Sequence, residues 1–533
     1  MPEKTTRREA IKRTFATAAA MGAMPTTIGD ALAAEDAGTG DPKQPTPLVV
    51  DTLLEGGTIV DGSGSPAFVG DVALRDNRIV AVGQFVTHKA TKRIDCRGLI
   101  VAPGFCDAHT HCDRTVASPK TRDNTPYILQ GVSTVVTGNC GLGPSNVDAF
   151  LKQLDENPPG TNVAHLAGYG PIRQTCMKNA SRRPTKKELA TLRSETERAL
   201  RAGARGLSTG LAYEWNAHAR VDELVEVCKV VADHGGLYAT HIRDEEDKII
   251  EALDEALTIG SRAQLPVHVS HFKVMAKPNW GLMSQAIAHL ERARRNGQRV
   301  TADQYPYPAS STSLRKYLLP SNKIPGGNRN LKQRMAKDAE LEKLLRKLVH
   351  KQLARYTKIV FPAQNRTVRE LVEERGEDLL DFAIANEGRS VVCYSMCEEN
   401  VRLVMQCDFV ATGSDGPVPH PRTYGTFPRK IHRYVVEEKL LSLEKAVRQS
   451  SGLVADIFQL SDRGYLRTGC HADVVVFDLE NFVDHATFTD YTRPATGVRY
   501  LFVNGQLTVE DSKATGQLAG RVLRRNTQSS SVS

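Results

Sequence analysis

Eight segments that read as β-strands, each followed by a helix-like run, constrain this chain more than any other feature. They cover residues 98–111, 132–140, 163–168, 204–211, 237–241, 266–271, 299–307 and 409–415. Each is a short apolar stretch with β-branched residues and turn signals at its ends, the texture of a strand. Helix-like runs such as 185–202 and 221–234 lie between them. About eight β-then-α units predict an α/β protein built on a closed (β/α)8, TIM-like barrel, whose site lies at the C-terminal ends of the strands. The interval 321–388, helical and rich in Lys and Glu, is too long for an ordinary βα loop and reads as an insertion or lid over the barrel, which spans 101–460.

The flanks have a different texture. Short β-rich runs alternate with turn signals over 48–100, and strand-like runs return at 472–478 and 498–505. Two β-rich ends around a long α/β middle predict one small composite β-sandwich domain, built from 48–100 and 461–525. Residues 526–533 read as a disordered tail. Residues 6–12 (TRREAIK) resemble a twin-arginine export signal, followed by an Ala-rich stretch and a small-residue cleavage pattern at 31–33. We therefore expect an export signal over 1–34, a linker over 35–47 and a periplasmic protein, or a cytoplasmic one if the signal is not used. No apolar run reaches the roughly 20 residues of a membrane span. The net charge of +9 is dispersed and aromatics make up 6% of the chain, which argues against a nucleic-acid partner. The ten cysteines are scattered, without the density of a disulfide scaffold or paired CxxC motifs.

The strand ends carry the chemistry. The first closes on His109 and His111, which side-chain alternation points the same way, as a metal pair requires. The second runs into Cys140, the fifth ends at His241, the sixth at His271 and the eighth at Asp415. Each has an ordinary explanation taken singly, as a core histidine or a turn residue. Six zinc-compatible side chains at the C-terminal ends of barrel strands are not explained that way together.

The order of these residues resembles the amidohydrolase superfamily of metal-dependent hydrolases, and more narrowly the N-acyl-D-amino-acid deacylases (D-aminoacylases). The stretches that carry it are PGFCDAHTH (103–111), GVSTVVTGNCG (131–141), GARGLSTGL (203–211), YATHIRDE (238–245), HVSHFK (268–273), DQYPY (303–307), GSDG (413–416) and HPR (420–422), within about residues 48–523. The resemblance implies a tight zinc site of Cys140, His241 and His271. A second, weaker metal would sit at His109, His111 and Asp415, sharing Cys140. Many superfamily members bridge two metals with a carboxylated lysine on strand four, and no lysine occurs in 204–211. It implies Asp415 as the base that takes a proton from water and passes it to the departing amine, the zinc polarising the carbonyl. Lys273, Arg422 and Tyr213 would hold the α-carboxylate of a small N-acyl-D-amino acid, and Tyr305 and Ser311 would line the acyl or side-chain pocket. Arg243 and Glu245 are expected to pair with each other behind the site.

Two departures from the family pattern stand out: Cys112-Asp113 where two acidic residues often follow the His-Thr-His, and a short segment from Asp415 to Arg422. Related machinery acting on a cyclic amide or an isopeptide, a non-catalytic scaffold and a hydrolase with Cys140 as nucleophile are the competing readings.

Overall fold

The computed structural model describes residues 49–84, 89–177 and 181–525. The export signal and linker expected before residue 48, and the tail after 525, lie outside them.

Eight parallel strands form the barrel: Phe105–Asp107, Val132–Thr137, Asn162–His165 continued by Ala167–Gly168, Gly206–Gly210, Leu237–His241, Val267–Val269, Val300–Gln304 and Val410–Thr412. Every residue of the second, fourth, fifth and sixth strands is buried, as a parallel sheet covered by helices on one side and filled by side chains on the other demands. The ring closes between the last strand and the first, where Ala108 N–H donates to Thr412 O at 3.0 Å and Asp415 N–H to His109 O at 2.8 Å. The outer helices have explicit starts. In Lys186–Arg201, Thr185 Oγ1 accepts the Glu188 N–H while the Glu188 carboxylate accepts the Thr185 N–H, a capping box that satisfies two otherwise orphaned donors.

The expected single strand over 98–111 is two. Ile100–Pro103 belongs to a second sheet and Phe105–Asp107 to the barrel. The break falls at Gly104, where a Cβ would stand 2.5 Å from Ser133 Oγ and only a glycine allows the approach. That second sheet has nine strands and draws on both ends of the chain: Val49–Ile59, Phe68–Arg75, Arg78–Gly83, Lys89–Asp95 and Ile100–Pro103 from one side, Val474–Phe477, Val498–Val503, Gln506–Glu510 and Lys513–Ala514 from the other. The halves join where Ile100–Pro103 pairs antiparallel with Val474–Phe477.

Between the seventh and eighth barrel strands the chain makes a long excursion. Ser310–Ser313, Lys358–Phe361, Arg366–Thr367 and Ser390–Tyr394 form a separate four-stranded sheet. Helices Leu314–Leu318 and Ala339–Arg355 cover it around a core that includes Tyr317, Leu345, Phe361 and Phe382. The excursion thus has its own packing and stands as a wall beside the barrel mouth. No helix among the described residues is long and apolar enough to cross a membrane.

Candidate metal centre and its surroundings

All six metal-compatible side chains named from the sequence meet at the mouth of the barrel. Cys140 Sγ lies 3.3 Å from His109 Nε2, 3.4 Å from His271 Nε2 and 3.9 Å from His241 Nδ1. Asp415 Oδ1 is 3.1 Å from His111 Nε2 and 3.7 Å from His109 Nε2. Ligand atoms held about 2.0–2.3 Å from one tetrahedral centre stand roughly 3.3–3.8 Å apart, so these separations fit a shared cation. The donor set, one thiol with imidazoles and a carboxylate, suits zinc. Burial pulls the pKa of His109 and His241 down and leaves neutral imidazoles, the form that ligates. Burial also pushes the Cys140 thiol well up, so a cation beside it is what would hold the thiolate.

The backbone turns hard to deliver these groups. Cys140, His271 and Asp415 have φ of +54°, +35° and +53°, a left-handed region costly for side chains with a Cβ and found where function pins the chain. Gly138 makes the turn before Cys140 feasible: it has φ +73°, and a Cβ there would lie 1.9 Å from Leu166 O.

Two buried carboxylates behind this cluster orient its side chains. Asp303, from the seventh strand, receives His109 Nδ1 at 3.1 Å and His268 Nε2 at 3.0 Å on one oxygen, and the His271 N–H at 2.9 Å on the other. Burial opposes its ionisation, but His109 and His268 hold it well below the usual carboxylate range. Glu245 stands 3.3 Å from His241 Nε2 and 3.1 Å from His271 Nδ1, and accepts from Lys273 Nζ. It too stays ionised against burial, through His241, Lys273 and His271. A carboxylate on the far nitrogen of a ligating histidine fixes the ring and its tautomer. The expected pairing of Arg243 with Glu245 does not form. Arg243 turns outward to Glu255 at 2.8 Å and to the carbonyls of Ala217 and Ala219, and Glu245 is left for the histidines. Neither Asp303 nor Glu245 was assigned this role from sequence, although both lie inside the motifs that carry the resemblance.

The groups expected around the substrate divide into two clusters. In one, Arg422 is 1% exposed and donates from Nη2 to Asp415 Oδ2 at 2.9 Å and to Ser311 O at 3.4 Å. Its guanidinium lies 4.4 Å from the centre of the Tyr305 ring, and Lys273 Nζ lies 5.9 Å from the same ring. His420, which accepts the Arg422 N–H at 3.0 Å and reaches Ala309 O from its other nitrogen, holds the start of this segment. Arg422 Nε and Nη1, Tyr305 Oη and Ser311 Oγ are all buried without a hydrogen-bond partner, although buried polar groups are normally satisfied. In the other cluster the Tyr213 ring sits 4.8 Å from His241. A residue not singled out from the sequence joins it: Lys316, on the excursion helix Leu314–Leu318, lies 5.5 Å from the Tyr213 ring and 3.5 Å from His241 Nε2. The structure therefore sets Tyr213 beside Lys316 and groups Arg422 and Lys273 around Tyr305.

Comparison with known proteins agrees with this geometry. The amidohydrolase family's profile matches residues 92–356 and 399–509. The chain is 36% identical to a D-aminoacylase of Alcaligenes xylosoxydans xylosoxydans over 502 residues, 89% of this chain and 98% of the relative. It is 35% identical to an N-acyl-D-aspartate deacylase of the same organism over 90% of this chain and 95% of the relative. A solved D-aminoacylase structure superposes with a TM-score of 0.79 at 35% identity, covering 89% of this chain and all of that one. The N-acyl-D-glutamate deacylase of Bordetella bronchiseptica, solved with zinc and a phosphonate mimic of the tetrahedral intermediate, gives 0.78 at 33% identity, covering 90% and 100%. The chain belongs to the amidohydrolase family, in the group of the D-aminoacylases and N-acyl-D-amino-acid deacylases.

Proposed function

We propose that this protein hydrolyses the amide bond of N-acyl-D-amino acids, releasing a carboxylate and a free D-amino acid, with zinc held by Cys140, His241 and His271 and a weaker site at His109, His111 and Asp415. The observation that carries this reading is the set of buried, unpartnered donors on Arg422, Tyr305 and Ser311, beside Asp415 and the ligand cluster. A carboxylate offered there meets a guanidinium and two hydroxyls already desolvated, where charge-assisted hydrogen bonds are strongest. When bound, zinc supplies the Lewis acid that lowers the pKa of water towards about 7 and polarises the scissile carbonyl.

The chain's own groups do the rest. Asp415 is kept ionised against burial by Arg422 and His111, so it accepts the proton of the attacking water and returns it to the amine nitrogen as the C–N bond breaks. Tyr213 stands with its ring 4.8 Å from that of His241, and in this reading its hydroxyl donates to the oxygen of the tetrahedral intermediate. With the carbonyl fixed at the ligand cluster and the α-carboxylate at Arg422, the side chain leaves the α-carbon in one direction only. The likeness to a D-aminoacylase and an N-acyl-D-aspartate deacylase supports the D isomer for that direction.

Asp415→Asn tests the base: it keeps the Cys140 site and its zinc but lowers kcat by about 10²–10⁴-fold, the usual worth of a positioned proton carrier. Retention of most of the activity would give the proton to another group.

A further inference from the structure

The turn that delivers Cys140 is held from the fourth barrel strand. Cys140 stands between Gly138 and Gly141 with φ +54°, a backbone conformation that persists only where its surroundings impose it. Ser208, in the middle of Gly206–Gly210 and wholly buried, imposes it from one side. Its hydroxyl donates to the Gly138 carbonyl and accepts the Gly141 N–H at 3.0 Å. One side chain thus ties both flanks of Cys140 to a barrel strand. The backbones come just as close, since a Cβ on Gly210 would stand 2.2 Å from Cys140 O. Two other groups reach the turn, each at one end only. Asp113 accepts the Gly138 N–H at 3.0 Å, and Gly141 O accepts the Gly170 N–H at 3.0 Å.

Ser208 gives its hydroxyl to two backbone groups, so it acts on the thiol through the turn alone. We propose that Ser208 is a positioning residue of the metal centre, which presets the Cys140 turn so that the thiolate stands within reach of His109, His241 and His271 before a cation arrives. This rests on the reading of Cys140 as a metal ligand. A donor already in place loses no freedom when the cation binds, so affinity depends on what holds the turn as well as on the donors themselves. The neighbouring Thr209 supplies an internal comparison. It is as buried as Ser208, but strand alternation points it the other way, where Oγ1 lies 2.8 Å from Tyr238 Oη and 2.9 Å from Thr240 Oγ1.

The test reads the metal, not turnover, so its result is independent of which substrate the protein takes. Ser208→Ala leaves the Gly138 carbonyl and the Gly141 N–H without their partner. Its zinc affinity in a chelator competition should fall about 10–100-fold, the usual effect of losing a group that holds a ligand in place. In cobalt-substituted protein the thiolate-to-cobalt absorption band of the wild type should weaken in the same variant. Thr209→Val, which also removes a buried hydroxyl from the strand, should keep both the zinc affinity and the band. Wild-type affinity and band in Ser208→Ala overturn the proposal, and so does an equal loss in Thr209→Val, which would assign the effect to loosening of the strand. A wild-type cobalt protein without the band would refute Cys140 as a ligand, and the proposal with it. Hydrogen exchange on the wild type needs no variant to fold. The Gly141 amide should be as protected in zinc-free protein as in zinc-loaded protein. Protection that arises only with zinc would show that the cation sets the turn and would overturn the proposal.

Discussion

Replacing Arg422 by Lys keeps a positive charge in the site and removes the planar fork. The structure shows what each part of that side chain does. One nitrogen meets Asp415 at 2.9 Å, the guanidinium plane lies over Tyr305 at 4.4 Å, and Nε and Nη1 have no protein partner. A lysine ammonium can still neutralise Asp415, but it is a point charge and offers nothing in place of the two free donors. The loss is one charged hydrogen bond or slightly more, about 1.5–3 kcal/mol, or roughly ten- to a hundredfold in kcat/KM for N-acetyl-D-amino acids. The assay that isolates it runs each acid beside the corresponding D-amino acid amide, which presents no carboxylate. In the wild type the acid should be strongly preferred; in Arg422→Lys the acid should lose most of that lead while the amide changes little. An equal fall on acid and amide would show that Arg422 acts through Asp415 alone and would refute its role as the carboxylate anchor.

Two further outcomes concern the metal centre. Cys140→Ala should lose the tight zinc, as measured by elemental analysis of dialysed protein, because the thiolate would be the one charged ligand among Cys140, His241 and His271; wild-type zinc content in the variant would remove Cys140 from the ligands. Glu245→Gln should fold normally yet bind zinc about 10–100-fold more weakly in a chelator competition, because it takes the carboxylate charge from the far nitrogens of both His241 and His271; unchanged affinity would mean that Lys273, whose Nζ lies 2.7 Å from His271 Nδ1, is enough to orient that ring.

The barrel and the gathering of these side chains at its mouth were legible in the sequence for one reason. A (β/α)8 barrel gathers the C-terminal ends of all its strands at one mouth, so residues far apart in the chain are brought together by their position on strands alone. His109, Cys140, His241, His271 and Asp415 needed no further information. Side-chain pairing across elements was not legible. Glu245 and Arg243 are two apart, but Glu245 turns inward to the histidines and Arg243 outward to Glu255, a choice set by the loop after the fifth strand. Asp303 reads from sequence as one acid among many, and its role emerges only because the seventh strand passes behind both His109 and His271. Lys316 was hidden more deeply, since nothing local shows that the excursion folds back and sets that helix against His241. The Gly104 break was obscured because Ile100–Pro103 and Phe105–Asp107 are both buried strands and differ only in the sheet they join.

The central claim is tested most directly by kcat/KM for paired N-acetyl-D- and N-acetyl-L-amino acids, measured on protein loaded with one equivalent of zinc. With two points of the substrate pinned, as proposed, by the carboxylate anchor and the ligand cluster, the D series should be hydrolysed and the L series should lag by at least about two orders of magnitude, the size of a lost charged contact at its upper end. Equal rates on the two series, or turnover that persists after the zinc is stripped by chelator, would contradict the account.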